Sequence, residues 1–209
     1  MPRITKVRER RDKARVFVDD EFWAEIDVGT MLERGIHEGA ALSHEELREA
    51  RIAGERALAM GRALTLLGYR SRSRQEVWQR LGQHGYIEEA IELVIARLEE
   101  LGYLDDEQYA RDLAREKSHK YGPRRIYGDL RKGGIDETTA WNIVEEEFAG
   151  RSEVEEAFEA AARRYNSREG STAQARRVYG FLMRRGYSAG VCAEVASKYR
   201  EPSSREAGE

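Results

Sequence analysis

The stretch Tyr121-Gly122-Pro123-Arg124-Arg125-Ile126-Tyr127-Gly128-Asp129-Leu130-Arg131-Lys132-Gly133-Gly134-Ile135 reads as a short helix with both ends marked. Gly122 is a permissible N-cap, Pro123 suits the first helical position, and Gly133-Gly134 supplies a left-handed stop. At about 100° per residue, Ile126, Tyr127 and Leu130 gather on one side. Arg124, Arg125, Arg131 and Lys132 spread over the other. One face calls for a core and the other for an anion.

Working outward, the same pattern recurs twice. Val77-Trp78-Gln79-Arg80-Leu81 and Val178-Tyr179-Gly180-Phe181-Leu182 align on the leucine with Ile126-Tyr127-Gly128-Asp129-Leu130, and a glycine follows each leucine four residues on: Gly85, Gly134 and Gly186. The leucines stand 49 and 52 positions apart, a spacing in the range of repeat architectures. Each unit contains three helices: the first copy reaches Gly68 by a long helix opened by the capping box at Ser43-His44-Glu45-Glu46 and continues from Ser73 to Leu101. The second runs from Asp105 to Phe148 and the third from Val154 to Tyr199. Small units of this kind expose apolar surface at their ends, so they are expected to stack into an elongated, curved body.

The N-terminus differs. Val16 and Val18, then Phe22, Ala24 and Ile26, alternate with other residues around Asp19-Asp20-Glu21, which predicts a β-hairpin with a third strand from Ile4 to Glu9. A short helix is expected from Asp27 to Gly35. Arg3 to Arg15 holds seven Lys or Arg against Glu9 and Asp12. This basic segment fits a nucleic-acid or acidic-protein contact, and equally an edge strand protected by charge. The fold class is therefore mainly α, tandem three-helix repeats with a small N-terminal β-hairpin region. Its divisions are 1–42, 43–103, 104–150, 151–200 and a disordered tail over 201–209.

The formal net charge of -3 hides two opposite surfaces, because charge is segregated along the chain. Residues 111–132 carry eight Lys or Arg against three acids, and residues 136–159 carry nine acids against Arg151 alone. Cys192 is the only cysteine, which excludes an internal disulfide and fits a reducing compartment. No long apolar run or signal-peptide core is present, so a soluble, cytoplasmic protein without membrane contact is expected.

No catalytic constellation is legible. His44-Glu45-Glu46-Leu47 lacks the second histidine of a zinc helix, and His37, His44, His84 and His119 share no ligand spacing. The acids at Glu145-Glu146-Glu147 and Asp105-Asp106 fall at helix ends or exposed faces, and Cys192 reads as core. No catalytic residue, metal ligand or cofactor is assigned, and no hydrolase, nuclease or nucleotide-binding activity is expected. Trp78, Tyr127 and Tyr179, beside the repeated leucines, read as core rather than as base-stacking platforms.

The candidate site is a set of cations: Arg124, Arg125, Arg131 and Lys132 in the second repeat, with Arg176, Arg177 and Arg184 in the third. Arg176, Arg177 and Arg184 match Arg124, Arg125 and Lys132 in register, whereas the first repeat has Gln75, Glu76 and Gln83 there. Gly128 and Gly180 lie near the centre of this face. Each costs about 1 kcal/mol relative to alanine, which a need for close approach to the backbone there would explain.

The run Leu101-Gly102-Tyr103-Leu104-Asp105-Asp106-Glu107-Gln108-Tyr109-Ala110, with Gly122-Pro123-Arg124-Arg125-Ile126 and Leu130-Arg131-Lys132-Gly133-Gly134-Ile135-Asp136, closely resembles the RecX family. The resemblance is strongest from about Leu64 to Phe148 and looser in the third repeat; the N-terminal hairpin occurs only in some members. It implies tandem three-helix repeats and a bacterial cytoplasmic regulator of the RecA recombinase. Such a regulator lodges in the groove of the RecA filament, usually inhibits strand exchange and ATP turnover, and can touch single-stranded DNA. The expected partner is the RecA filament, met by a monomer. The alternative is an independent DNA-binding protein whose basic helix faces act through phosphates.

Overall fold

Two tight turns built without glycine shape the N-terminus. In a computed structural model describing residues 1–165 and 170–200, β1 (Ile4–Arg10), β2 (Lys13–Val18) and β3 (Glu21–Asp27) form an antiparallel sheet in the order β1-β2-β3. Asp19 and Asp20 both take positive φ, 48° and 70°, as a two-residue type I′ hairpin requires. The predicted hairpin and third strand are both present. One face carries Ile4, Ala14, Val16, Ala24 and Ile26 into a core shared with Met31, Ile36, Leu47 and Ala50.

The alternation in β3 does not continue to its start. A bulge pairs Val16 with Ala24 and Phe17 with Phe22, so Trp23 packs against the core while Phe22 turns outward and is 52% exposed.

The helices follow. Asp27 caps α1 (Val28–Glu33), its carboxylate accepting from the Thr30 N–H, and Gly35 follows at φ 63°. Ser43 opens α2 (His44–Tyr69) with the predicted capping box. The first part of α2 lies on the sheet, where a Cβ on Gly54 would stand 2.4 Å from Ile26 Cβ. Its later residues Ala59 and Ala63 enter a second core with Val77, Leu81, Ile91, Val94, Ile95 and Leu98. That core is built with α3 (Arg74–Gln83) and α4 (Glu88–Glu100). Glu55, buried in α2, accepts from Arg51 Nε and from the Ile87 backbone N–H, both at 2.7 Å. Its charge thereby caps the start of α4, whose N-cap residue Ile87 has no capping side chain.

The chain divides into two compact units, Met1–Asp105 and Asp106–Glu209. In the second, α5 (Asp106–Ser118), α6 (Pro123–Lys132) and α7 (Glu137–Phe148) enclose Tyr109, Ala110, Ile126, Leu130, Ile135, Ala140, Ile143 and Val144. A further core joins α8 (Glu153–Ala162), α9 (Thr172–Arg185) and α10 (Ala189–Ser197) through Val178, Leu182, Cys192, Val195 and Tyr199. Leu81, Leu130 and Leu182 are all fully buried, and Gly85, Gly134 and Gly186 all take left-handed φ of 86° to 90°. The disordered tail expected over 201–209 lies outside the described residues.

The repeated aromatics depart from their expected place. Trp78 and Tyr179 are 36% and 37% exposed, and Tyr127 is half-buried, edge-on to the exposed Trp141 at 6.0 Å. In each copy the residue four before the leucine, Val77, Ile126 or Val178, is the one fully buried. Positions four apart stay within about 40° of one another on a helix, whereas the aromatic falls about 60° to the other side. These short helices bury a stripe too narrow to enclose it.

Candidate functional site

Gly122 opens α6 without a capping side chain, and the end of α9 supplies the missing acceptors. The Gly122 N–H donates to Arg185 O at 2.8 Å and the Arg124 N–H to Gly186 O at 3.1 Å. The positive end of one helix dipole thus meets the negative end of another. The fit is close, since a Cβ on Gly186 would lie 2.3 Å from Arg125 Cβ. Arg124 and Arg125 are thereby held beside the last turn of α9, which carries Arg184 and Arg185.

Around this junction stands a collar of cations on one ring. Lys120 Nζ, Arg125 Cζ and Arg185 Cζ lie 5.5, 5.8 and 6.0 Å from the centre of Tyr121, within cation–π range. Arg185 also donates to Lys120 O at 2.7 Å and sits 4.8 Å from the Phe181 ring. An adjoining cleft of about 450 Å³ is lined by Lys120, Arg151, Glu156, Arg164, Phe181 and Arg185, among others.

The seven cations singled out from sequence are all exposed, but they differ in how their charge is used. Arg125 pairs with Asp129 at 3.3 Å, and Asp129 is also held by Lys117 at 2.6 Å. Arg131 donates to Ile135 O at 2.6 Å and so secures the chain leaving α6. Arg124, Lys132, Arg176, Arg177 and Arg184 make no ion pair with any described residue. Arg176 and Arg177 occupy the early part of α9, about 12 Å of helix rise from Arg184 and the junction. Sequence register therefore matches Arg124 with Arg176, while the fold brings Arg124 against Gly186.

Lys120, Tyr121, Arg164 and Arg185 join this arrangement in the structure and are not among the seven sequence candidates. Tyr121 opens the quoted stretch and Lys120 immediately precedes it, so a cation beside an aromatic is the local signal. The contribution of Arg185 depends on a backbone pairing that no local pattern announces.

The backbone at Gly128 is open, since a Cβ there would meet nothing within 4 Å. At Gly180 it would meet only Arg184 Nη1 at 3.4 Å. The acids nearby are engaged: Glu147 accepts from Ser118 Oγ at 2.7 Å and pairs with Arg151, and Glu146 pairs with Arg111 at 2.6 Å. Cys192 is buried in its helical core, and desolvation raises the pKa of its thiol, which disfavours the thiolate. All four histidines are exposed. Among the described residues no three His, Cys, Asp or Glu side chains gather as metal ligands, and no helix is long and apolar enough to cross a membrane.

Serial three-helix modules define a helical repeat protein, and Arg124 and Arg184 stand beside the junction of α6 and α9 without an ion-pair partner among the described residues. Residues 59–98 match the first three-helix domain of RecX and residues 105–140 the second. The chain is 30% identical over 167 residues to the "Regulatory protein RecX" of Caldanaerobacter subterraneus subsp. tengcongensis, covering 78% of this chain and 85% of that one. It belongs to the RecX family of regulatory proteins. The protein of that name from Lactobacillus gasseri is 31% identical over 150 residues, 70% of this chain and 54% of its own length. The chain thus matches only about half the length of that relative. A crystal structure titled regulatory protein RecX shares the fold at a TM-score of 0.59 and 21% identity, over 94% of this chain and all of that one. RecX from Lactobacillus salivarius superposes at 0.54 with 25% identity, over 69% and 96% of the two chains.

Proposed function

We propose that this chain is a non-enzymatic regulator that binds the RecA nucleoprotein filament in the bacterial cytoplasm and inhibits RecA ATP turnover, strand exchange and recombinational repair. Membership of the RecX family supports the partner. The observation that carries the reading to residues is a group of cations on two successive modules with no ion-pair partner among the described residues, Arg124 and Lys132 on one and Arg176, Arg177 and Arg184 on the other. Cations offered on successive modules can grip acidic side chains or phosphates that repeat along a helical lattice.

The test is co-sedimentation with RecA filaments and, separately, with bare single-stranded DNA. The wild-type chain is compared with the variant Arg124→Ala, Arg125→Ala, Arg176→Ala, Arg177→Ala. That variant keeps its helical content, because alanine is the best helix former, yet inhibits strand exchange more weakly. Unchanged inhibition at low and moderate salt would leave these faces as solvated surface.

The second reading is an independent DNA-binding protein, favoured by the collar of Lys120, Arg125 and Arg185 around Tyr121. In that case affinity for bare DNA falls linearly in log salt and the variant flattens the slope. Contact with acidic protein surface would instead cost filament binding and leave DNA binding unchanged.

A further inference from the structure

The outer face of the N-terminal sheet lies opposite the face that carries Ile4, Ala14, Val16, Ala24 and Ile26 into the core. Its cross-strand pairs set Lys6 beside Phe17, Arg8 beside Arg15, and Phe17 beside Phe22. Arg8 lies 5.9 Å from the Phe17 ring and Arg15 4.9 Å from the Phe22 ring, and the two rings meet edge to face at 5.8 Å. Arg3, Lys6, Arg8, Arg10, Arg11 and Arg15 make no ion pair with any described residue, whereas Lys13 is neutralised by Glu25 at 3.0 Å. Beside the first turn a basin of about 650 Å³ is lined by Arg8, Arg10, Arg11 and Arg15, with Glu9, Asp12, Lys13 and Glu25.

Charge alone would serve any anionic partner. What separates the candidates is Phe22, which the β3 bulge turns out of the core. An exposed phenylalanine loses apolar burial, and an acidic protein surface offers it little in return. A nucleobase offers a flat π-face, and every base has one. Bases are free to stack only where the strand is single, while the phosphates linking them carry the charge the arginines lack.

We infer that this sheet face is a binding site for single-stranded nucleic acid, with Phe22 and Phe17 as the stacking platform and Lys6, Arg8, Arg10 and Arg15 on the phosphates. The site lies in the unit Met1–Asp105, uses none of the cations of α6 and α9, and does not depend on the reading of RecA as partner.

The test uses the full chain without RecA. Fluorescence anisotropy follows a short labelled oligothymidylate across a salt series, in the wild type and in the background carrying the four α6 and α9 alanines. Arg8→Ala with Arg15→Ala should lower the slope of log affinity against log salt by about 1.4, at roughly 0.7 per phosphate. Phe22→Ala should weaken binding about tenfold, the effect of losing one stacked base, with the salt slope unchanged. Phe22→Leu keeps apolar bulk at the site without an aromatic face and should weaken binding similarly while circular dichroism stays native. A duplex of equal length should bind more weakly than the single strand. Equal binding by the Phe22 variants, or equal preference for duplex, would overturn the proposal in favour of a plain phosphate patch. Full oligonucleotide binding by the arginine variant, with an unchanged salt slope, would overturn it in favour of an acidic protein partner.

Discussion

The Gly122 N–H points at the carbonyl of Arg185 across 2.8 Å, joining two residues 63 positions apart in the chain. With the Arg124 N–H on Gly186 O, this makes the end of one helix the cap of another. The geometry of the basic junction is therefore set by main chain, and the arginines take their places from it.

Gly186 is where that arrangement is most vulnerable. It takes φ 88°, and an added Cβ would run into the Cβ, N and Cα of Arg125. Gly186→Ala should cost about 1 to 2 kcal/mol for the left-handed backbone alone. Parting α6 from α9 should add to that. Denaturant titration should show a lowered midpoint, and, on the proposed function, inhibition of RecA should weaken although no arginine has been removed. A variant as stable as the wild type would mean the close approach relaxes without consequence.

Leu130 tests the core rather than the surface. It is fully buried among Tyr109, Ile126, Ile135 and Ile143. Leu130→Ala should destabilise by about 2 to 5 kcal/mol. A loss below about 1 kcal/mol would place the leucine outside the apolar seam.

Much of this core was legible in the sequence because short-range chemistry fixes it. The leucines, the glycines four residues beyond them and the Ser43 capping box each act within a turn or two of helix. The sequence pattern sets Trp78 and Tyr179 in the core, but their burial depends on how wide a stripe the neighbouring helices cover, and both are exposed. Strict alternation sets Phe22 in one series with Ala24 and Ile26 and takes no account of the bulge that turns it outward. The collar around Tyr121 depends on a main-chain pairing between residues 63 positions apart, which no local pattern announces.

Asp136 gives a pH-dependent test. It caps α7, and hydrogen bonding from the Thr139 side chain and from the Thr139 N–H at 3.0 Å holds its carboxyl pKa below the ordinary value. A depressed folded pKa means the contribution is present above the unfolded value, about 4, and is lost as pH falls through the folded one. Asp136→Asn caps without titrating. The wild type should therefore lose more stability than Asp136→Asn between neutral pH and pH about 3, measured as the difference between denaturant midpoints. Parallel losses would remove Asp136 from the acid response.

Gly128 separates stability from contact. It lies inside α6, where glycine is unfavourable, and a Cβ there would meet nothing of this chain within 4 Å. Gly128→Ala should therefore stabilise the protein by about 0.5 to 1 kcal/mol. If the open backbone serves only the isolated chain, the more stable variant should inhibit RecA at least as well as the wild type. If the filament presses against α6 at this point, the added methyl stands between them and inhibition falls while the denaturant midpoint rises. The second pattern is the expected one, because the same exposed helix carries Arg124 and Lys132 with no ion-pair partner among the described residues. A variant both more stable and equally inhibitory would move the contact away from the middle of α6, toward its ends or the early part of α9.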